Sequence, residues 1–245
     1  MTDPDHRRWH TASHPFTVPV PLLLSLRHGR PDAPLVVFCH GMGETPERFL
    51  EHWPMTCALG VHVAAPAGPF AREERTPGGV RIGHAWYLYD GGDRAFRDSL
   101  AVSTSWFHDA LAAMEAEHGL RPRMRALVGH SQGAYFGYVA ALERPDRIQA
   151  LVAAAGRLKT SFVREALSRP GPLEALILHG EDDSAVDPEA ARRSHRALTE
   201  AGYRSELRLL PGGHGLPPDR DTAAAGWLAR VLDLPSPRPG SGTRR

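Results

Sequence analysis

Short apolar runs alternate along the chain with segments in which apolar residues recur every three or four positions. An apolar run bounded by turn residues is typical of a buried strand, whereas the three- to four-residue period is typical of an amphipathic helix. The runs predict seven strands, at 22–28, 35–40, 60–66, 124–130, 148–156, 173–180 and 205–212. The periodic segments predict helices at 98–118, 131–142, 188–201 and 222–232.

This alternation predicts an α/β fold. Strands that are apolar on both faces and alternate with helices indicate a mostly parallel sheet of about seven strands, covered by helices on both sides. In such a sheet, functional residues gather at the carboxyl ends of the strands. No insertion is long enough to form a large cap domain. The stretch 67–96 is predicted to be irregular, and a connection of that length is typically functional or mobile.

The length of 245 residues fits one domain of this class. We predict a single domain over 16–234, preceded by a flexible N-terminal segment at 1–15. The last eleven residues, PSPRPGSGTRR, are rich in Pro, Gly and Arg. That composition predicts a disordered tail at 235–245.

Charge and composition exclude several classes of function. The 29 basic and 28 acidic residues give a formal net charge of +1, so no bulk field attracts nucleic acid or an anionic membrane. No apolar run approaches the length of a membrane span, and the N-terminus lacks the apolar core of a signal peptide. With Cys39 and Cys57 as the only cysteines, the chain is predicted to be cytoplasmic and without integral membrane association.

One histidine pair has the spacing of metal ligands on a helix. His10 and His14 are four residues apart, but Pro15 follows directly and no carboxylate completes the pattern. We therefore predict no metal site and no cofactor.

The string GHSQG, residues 129–133, lies where the predicted strand 124–130 turns into the helix 131–142. A serine at such an elbow is held in strained backbone geometry, with its hydroxyl above the edge of the sheet. Glycine is needed at both ends of the string because a Cβ there would clash as helix and strand close up. The string therefore predicts Ser131 as a nucleophile.

A serine hydroxyl needs a base to remove its proton at neutral pH. Three histidines follow Ser131 in the chain. His179 ends a predicted strand and is interpreted as a turn residue, and His195 lies inside a predicted helix. His214 lies in the loop PGGHGLPP after the last predicted strand, from which an imidazole can reach over the sheet edge, so it is predicted as the general base.

The base in turn needs an acid that orients it. The segment HGEDDSAVDP offers four carboxylates after the sixth predicted strand, at Glu181, Asp182, Asp183 and Asp187. Each of them preserves the order serine, acid, histidine that is expected for α/β-hydrolase sheets. These residues alone do not select one of the four.

An oxyanion hole requires two backbone donors. One is predicted to be the amide of Gln132, which follows the nucleophile. The other is predicted in HGMG, residues 40–43, where the glycines on both sides of Met42 let its amide face the substrate. Loss of one such donor typically raises the barrier by about 2.7–4 kcal/mol.

The chain resembles the α/β-hydrolase superfamily and, more narrowly, the phospholipase/carboxylesterase group that includes acyl-protein thioesterases. The resemblance is carried by FCHGMGE, HAWYLYD, LVGHSQGAYFGYVAALERPDRIQALVAAAGRL, ILHGEDDSAV and GGHG, which span most of residues 35–216. The family pattern H-G-x-x-D-x-x-V implies Asp183 as the acid. A family tryptophan before the long helix implies that Trp86 lines the acyl pocket.

The chain departs from the group at three places, of which the first is Cys39, which precedes the HG pair where the family has an aliphatic residue. His130 stands where the family string G-F-S-Q-G has an aromatic residue, and 67–96 does not align beyond HAWY. The substrate preference is therefore the part of the resemblance that carries over least.

These residues predict a serine esterase that cleaves carboxylic esters through an acyl-enzyme intermediate. A small-molecule ester or thioester is the expected substrate, and no nucleic-acid partner is expected. An acyl thioesterase or lysophospholipase with the same triad is one alternative. A non-catalytic binding protein that keeps the fold is another.

Overall fold

The apolar runs form strands in the computed structural model, which describes residues 20–215 and 219–235. The strands are β1 (Leu22–Ser25), β2 (Leu35–Cys39), β3 (His62–Pro66), β4 (Phe70–Thr76), β5 (Gly79–Ala85), β6 (Arg125–His130), β7 (Ala150–Ala154), β8 (Glu174–Gly180) and β9 (Arg204–Leu210). Seven of them form one sheet in the order β1-β3-β2-β6-β7-β8-β9. β1 runs antiparallel to β3, and the other neighbours pair in parallel. The predicted mostly parallel sheet is confirmed.

The helices are α1 (Pro46–Leu50), α2 (Pro54–Cys57), α3 (Asp93–Glu117), α4 (Gln132–Glu143), α5 (Arg164–Ser168), α6 (Pro188–Glu200) and α7 (Arg220–Val231), with a short 3₁₀ helix at Thr160–Phe162. All four predicted helices are present, and α3 begins five residues before its predicted start at 98. A helix was expected after residues 40–43 without bounds, and α1 lies there. The sequence pattern did not predict α2 and α5, because helices of four or five residues are too short to show a period.

Helices cover both faces of the sheet. Along β2, Leu35 and Val37 belong to the apolar cluster that includes α3, α4 and α6. Val36 and Phe38 point the other way, into the cluster that includes α1 and α7. All residues of β2, β3 and β7 are buried, as expected for parallel strands covered on both sides.

The segment 67–96 is not irregular throughout, which corrects the prediction. β4 and β5 form an antiparallel hairpin with Phe70 opposite Ala85. Its strands carry charged residues and are mostly exposed, so they lack the apolar run from which the other strands were predicted. The residues Pro77-Gly78-Gly79 at the turn were the available signal, and Gly79 has a φ of 124°. A hairpin therefore stands above the carboxyl edge of the sheet.

Part of the predicted organisation falls outside the described residues. This holds for the predicted flexible segment 1–15, for His10 and His14, and for residues 236–245 of the predicted tail. The single domain over 16–234 stays a prediction. None of the described helices is long and apolar enough to cross a membrane.

Candidate active site

The turn after β6 holds Ser131 in an unusual backbone conformation, with φ 50° and ψ −115°. A non-glycine residue in this region carries strain and is held there by its surroundings. A Cβ on Gly133 would overlap the backbone oxygen of Cys39, and one on Gly129 would overlap the oxygen of Gly133. The elbow therefore closes only with glycine on both sides of the serine.

The side chains of Ser131, His214 and Asp183 form one hydrogen-bonded line. Ser131 Oγ lies 3.0 Å from His214 Nε2. His214 Nδ1 lies 2.9 Å from Asp183 Oδ2 and 3.2 Å from Oδ1. The carboxylate side chain is fully buried, whereas the imidazole is 29% exposed and thus open to a substrate. Three residues that follow different strands meet at the carboxyl edge of the sheet.

Asp183 is held in place by its own loop. The backbone amides of Ala185 and Val186 donate to Oδ1 at 2.9 and 2.8 Å. Burial by itself raises the pKa of the Asp183 carboxyl, but the hydrogen bonds from Val186, His214 and Ala185 outweigh it and lower that pKa below its ordinary value. The group is therefore an anion at neutral pH and accepts from His214 Nδ1.

The other three acidic residues of this segment do not face His214. Glu181 and Asp182 are exposed, and Asp187 caps α6 by accepting from the Glu189 amide at 2.9 Å. Of the four carboxylates that sequence reasoning left open, Asp183 is the one in hydrogen-bonding contact with the imidazole.

Sequence reasoning missed the role of His179 in this loop. Its Nε2 donates to the Val186 carbonyl at 2.7 Å and lies 3.2 Å from Asp183 Oδ2. His179 thus stabilises the loop that carries Asp183 by a hydrogen bond, in addition to its place near the end of β8. Its position four residues before that aspartate was the signal that could have found it.

His130 supports the loop of His214. Its buried Nε2 donates to the His214 backbone carbonyl at 3.1 Å, and its ring stacks on Phe49. Burial lowers the pKa of His130, so the ring is neutral at neutral pH. The imidazole at this position therefore both stacks on Phe49 and donates a hydrogen bond to the loop of His214.

The backbone amides of Met42 and Gln132 are the two donors that the sequence predicts for the oxyanion hole. Within the part of the chain that the structure describes, neither amide has a hydrogen-bond acceptor. Both residues line the cavity beside the serine. These amides are thus available to a substrate oxygen.

The hairpin fixes the loop of Met42. The Gly43 amide donates to His84 O at 2.8 Å, and the His84 amide donates to Glu44 O at 3.0 Å. On the other side of Met42, the Gly41 amide donates to Glu44 Oε2 at 2.7 Å. Because its neighbours are engaged in this way, the Met42 amide is held in one orientation.

His40 joins the same loop to the segment before β4. Its Nδ1 donates to Gly41 O at 2.7 Å, and its Nε2 accepts from the Gly68 amide at 2.9 Å. Burial lowers the pKa of His40 to about 4. The ring is thus neutral at pH 7, and only in the neutral ring can Nε2 accept the hydrogen bond from Gly68.

Trp86 lies behind the cavity wall and not on it, which differs from the sequence expectation. It is fully buried, and its ring stacks on Phe136 at 4.5 Å. Its amide donates to the Gln132 side chain at 2.8 Å, and its indole Nε1 donates to His40 O at 2.9 Å. Trp86 therefore ties the two predicted oxyanion segments together.

A cavity of about 800 Å³ opens beside Ser131, a size that suits a small organic substrate. Its described lining residues are Met42, Phe70, Ala71, Arg72, Ala85, Tyr87, Leu88, Tyr89, Phe96, Ser131, Gln132, Tyr135, Arg157, Lys159, Ala185, Val186 and His214. The tyrosines on both sides of Leu88 supply the aromatic surface that sequence reasoning assigned to Trp86. Among residues 20–215 and 219–235, no cluster of histidine, cysteine and acidic side chains could hold a metal ion.

Comparisons with known proteins agree with this architecture. The family model described as phospholipase/carboxylesterase matches residues 26–229. Comparison with curated protein sequences gives no match.

Several solved structures have a similar fold. A carboxylesterase from Mesorhizobium loti is 18% identical and has a TM-score of 0.71, with 86% of this chain and 94% of that chain covered. A carboxylesterase from Bacillus cereus is 14% identical with a TM-score of 0.67, over 86% and 94% of the chains. An acyl-protein thioesterase 2 from Zea mays is 20% identical with a TM-score of 0.64, over 86% and 99%. The sheet and these neighbours identify an α/β-hydrolase fold, and the family match shows that the chain belongs to the phospholipase/carboxylesterase family.

Proposed function

We propose that this protein is a serine hydrolase that cleaves carboxylic esters through an acyl-enzyme intermediate. The observation that carries the proposal is the hydrogen-bonded line from Ser131 Oγ through His214 to Asp183, at 3.0 and 2.9 Å. A strained serine, a base in contact with its hydroxyl and a buried acid in contact with the base are what nucleophilic catalysis by serine requires.

Acylation begins when Ser131 Oγ attacks the ester carbonyl and His214 Nε2 takes the hydroxyl proton. Asp183 keeps the other ring nitrogen protonated and stabilises the imidazolium that forms. The carbonyl oxygen of the ester becomes an oxyanion and accepts hydrogen bonds from the amides of Met42 and Gln132. When the intermediate collapses, His214 returns its proton to the leaving alcohol, and the acyl group stays on Ser131.

Deacylation repeats these steps with water. His214 takes a proton from the water, the resulting hydroxide attacks the acyl carbon, and the same two amides hold the second oxyanion. The carboxylic acid then leaves, and Ser131 regains its proton. The cycle uses only side chains, backbone amides and water.

The contacts of the two loops support the proposed role of these amides. The Met42 amide is held by the hydrogen bonds of Gly41 and Gly43, and the Gln132 amide lies at the start of α4. Donors that are already oriented do not need to reorganise when the oxyanion forms, so no free energy is lost in that step. Trp86 acts here as a positioning residue, because it contacts both segments from behind.

The test is hydrolysis of p-nitrophenyl esters with acyl chains from acetyl to palmitoyl, with Ser131→Ala beside the wild type. Loss of the nucleophile lowers turnover on the order of a millionfold in a well-studied serine protease. We expect clear wild-type activity that disappears in Ser131→Ala. A wild type that hydrolyses no ester, or an equally active alanine variant, would overturn the proposal.

Matched thioesters in the same assay distinguish the two leaving groups. Esters and thioesters pass through similar tetrahedral intermediates, so the three catalytic side chains do not select between them. Activity on thioesters without activity on esters would replace the esterase with a thioesterase that uses the same residues.

A further inference from the structure

The wall of the substrate cavity is positively charged on two sides. Arg72 lies on β4, while Arg157 and Lys159 follow β7, which is the neighbour of β6 in the sheet. None of the described residues that line the cavity is an aspartate or glutamate. A cleft lined by one sign of charge, with apolar walls between, concentrates ligands of the opposite sign.

Lys159 is held in place by aromatic rings. Its Nζ lies 4.4 Å from the centre of the Phe96 ring and about 5.5 Å from those of Tyr89 and Phe162. Contacts of this kind hold an ammonium group by attraction to the ring faces and leave its N–H donors free. Lys159 is the only lysine of the chain, and its side chain is 24% exposed. It is therefore positioned but accessible.

The nearest acid compensates Lys159 only in part. Asp93 Oδ1 is 3.7 Å from Nζ, too far for a good hydrogen bond, and its side chain is 69% exposed. Asp93 lines a smaller adjoining cavity of about 320 Å³ and not the cavity of Ser131. That adjoining cavity also contains Arg193, so positive charge continues beyond Lys159.

Arg157 and Lys159 line both cavities and so mark the point at which the two meet. The Arg157 guanidinium lies over the ring of Tyr135 at 5.6 Å, and its side chain is exposed. A guanidinium and an ammonium group that line the same cavity both bind the oxygens of a carboxylate or a phosphate.

We infer that the preferred substrate is an anionic ester, whose negatively charged group binds between Arg157 and Lys159 while its ester carbonyl lies at Ser131. This inference rests on the proposed esterase function and names its substrate class. Arg72, across the cavity, adds to the field that draws such a substrate in.

The first test compares two esters that differ only in charge. The p-nitrophenyl monoester of adipic acid carries a free carboxylate, and the p-nitrophenyl ester of monomethyl adipate is its neutral counterpart. We expect a higher kcat/KM for the anionic ester, and a KM that rises with salt for that ester alone. In the double variant Arg157→Met, Lys159→Met, the anionic-to-neutral ratio of kcat/KM should fall on the order of tenfold.

The control is the double variant Arg192→Met, Arg196→Met, which removes the same two positive charges from α6 at residues that line neither cavity. Its ratio should equal that of the wild type. A second pair, 4-acetoxybenzoate and its methyl ester, carries the charge on the alcohol side. The pair whose ratio falls in the double variant identifies which half of the substrate meets the two cations, and an unchanged ratio for both pairs overturns the inference.

Binding to Ser131→Ala separates this inference from the catalytic proposal. Titration calorimetry with the adipate monoester should give a lower Kd than with the neutral ester, and the preference should be lost when Arg157→Met and Lys159→Met are added. Preferential binding without wild-type hydrolysis would overturn the catalytic proposal and support the anion site. Hydrolysis of both esters with no binding preference would overturn the anion site alone.

Discussion

The elbow around Ser131 and the β4–β5 hairpin face the same cavity but are held by different forces. At the elbow, backbone atoms of β2, β6 and α4 approach so closely that a single Cβ on Gly133 has no room. On the hairpin, Arg75 pairs with Glu73 and Arg81 pairs with Glu74 at exposed positions. Exposed ion pairs contribute about 0–1 kcal/mol each.

The difference separates the residues that are proposed to carry out the reaction from the residues that are proposed to select the substrate. The groups that are proposed to break the ester depend on buried hydrogen bonds and on sterically determined backbone, so few substitutions leave them intact. The other residues that line the cavity lie mainly on the hairpin, on the connection from β5 to α3 and on the loop after β7. Those residues can change without disturbing the sheet.

The largest expected effect comes from the buried region, in Asp183→Asn. The asparagine oxygen can still accept from Ala185 and Val186, but an amide nitrogen facing His214 Nδ1 favours the wrong tautomer. We expect kcat to fall on the order of ten thousandfold with a small change in Tm. Asp187→Asn, at the cap of α6, is the control. Equal losses of activity in the two variants would contradict the assignment of Asp183.

Gly133→Ala tests the steric part of the comparison. The added Cβ would overlap the backbone oxygens of Cys39 and His40, and we expect a loss of about 3 kcal/mol in the free energy of unfolding. Gly226→Ala is the control, because a Cβ there meets nothing within 4 Å on the exposed side of α7. That variant should gain about 0.5–1 kcal/mol. Urea unfolding measures both, and a Gly133→Ala protein of wild-type stability would refute the argument.

The third effect concerns pH. His40 has a folded pKa of about 4 against an ordinary value of 6.5, so between these values the unfolded chain binds a proton that the folded chain does not. The free energy of unfolding therefore decreases as the pH falls through this window. Between pH 7 and pH 5 the contribution of His40 is about 2 kcal/mol.

The measurement is chemical unfolding of the wild type and His40→Asn at both pH values. Burial also lowers the pKa of His130 and His108, but those groups contribute equally to the two proteins. The wild type should lose about 2 kcal/mol more than the variant on acidification. Equal losses would show that His40 is not held neutral by the fold.

The smallest expected effect is on the hairpin, in Arg81→Ala. This removes an exposed pair with Glu74, so the free energy of unfolding should change by less than about 0.5 kcal/mol. Hydrolysis of a neutral ester by Arg81→Ala measures whether the hairpin still holds the Met42 loop. A large loss of stability in Arg81→Ala would show that the hairpin, like the elbow, depends on individual contacts for its stability.

The sequence predicted what depends on local pattern and on sheet topology. Ser131 and His214 follow recognisable strands, and the carboxyl ends of parallel strands converge, so their meeting follows from their order in the chain. The choice of Asp183 needed the family pattern, because four carboxylates share one loop and only their contacts distinguish them.

Two features were beyond the sequence because they depend on tertiary contacts. β4 and β5 lack an apolar run, so the turn Pro77-Gly78-Gly79 was the local signal for the hairpin, whereas its position above the sheet edge depends on contacts such as the hydrogen bond from Gly43 to His84. Trp86 and Tyr87 are adjacent, and which of them faces the cavity depends on the hydrogen bonds that Gln132 makes to both backbones. Neither the period of apolar residues nor the composition of the sequence indicates such hydrogen bonds.

The most direct test of the central claim is to trap the nucleophile. The wild type is treated with a fluorophosphonate, the modified residue is located by peptide mass spectrometry, and the remaining ester hydrolysis is measured on the same samples. The account predicts a single adduct on Ser131 that forms in proportion to the loss of activity, and no adduct in Ser131→Ala. Full modification of Ser131 with undiminished hydrolysis, or inactivation that follows an adduct elsewhere, would contradict it.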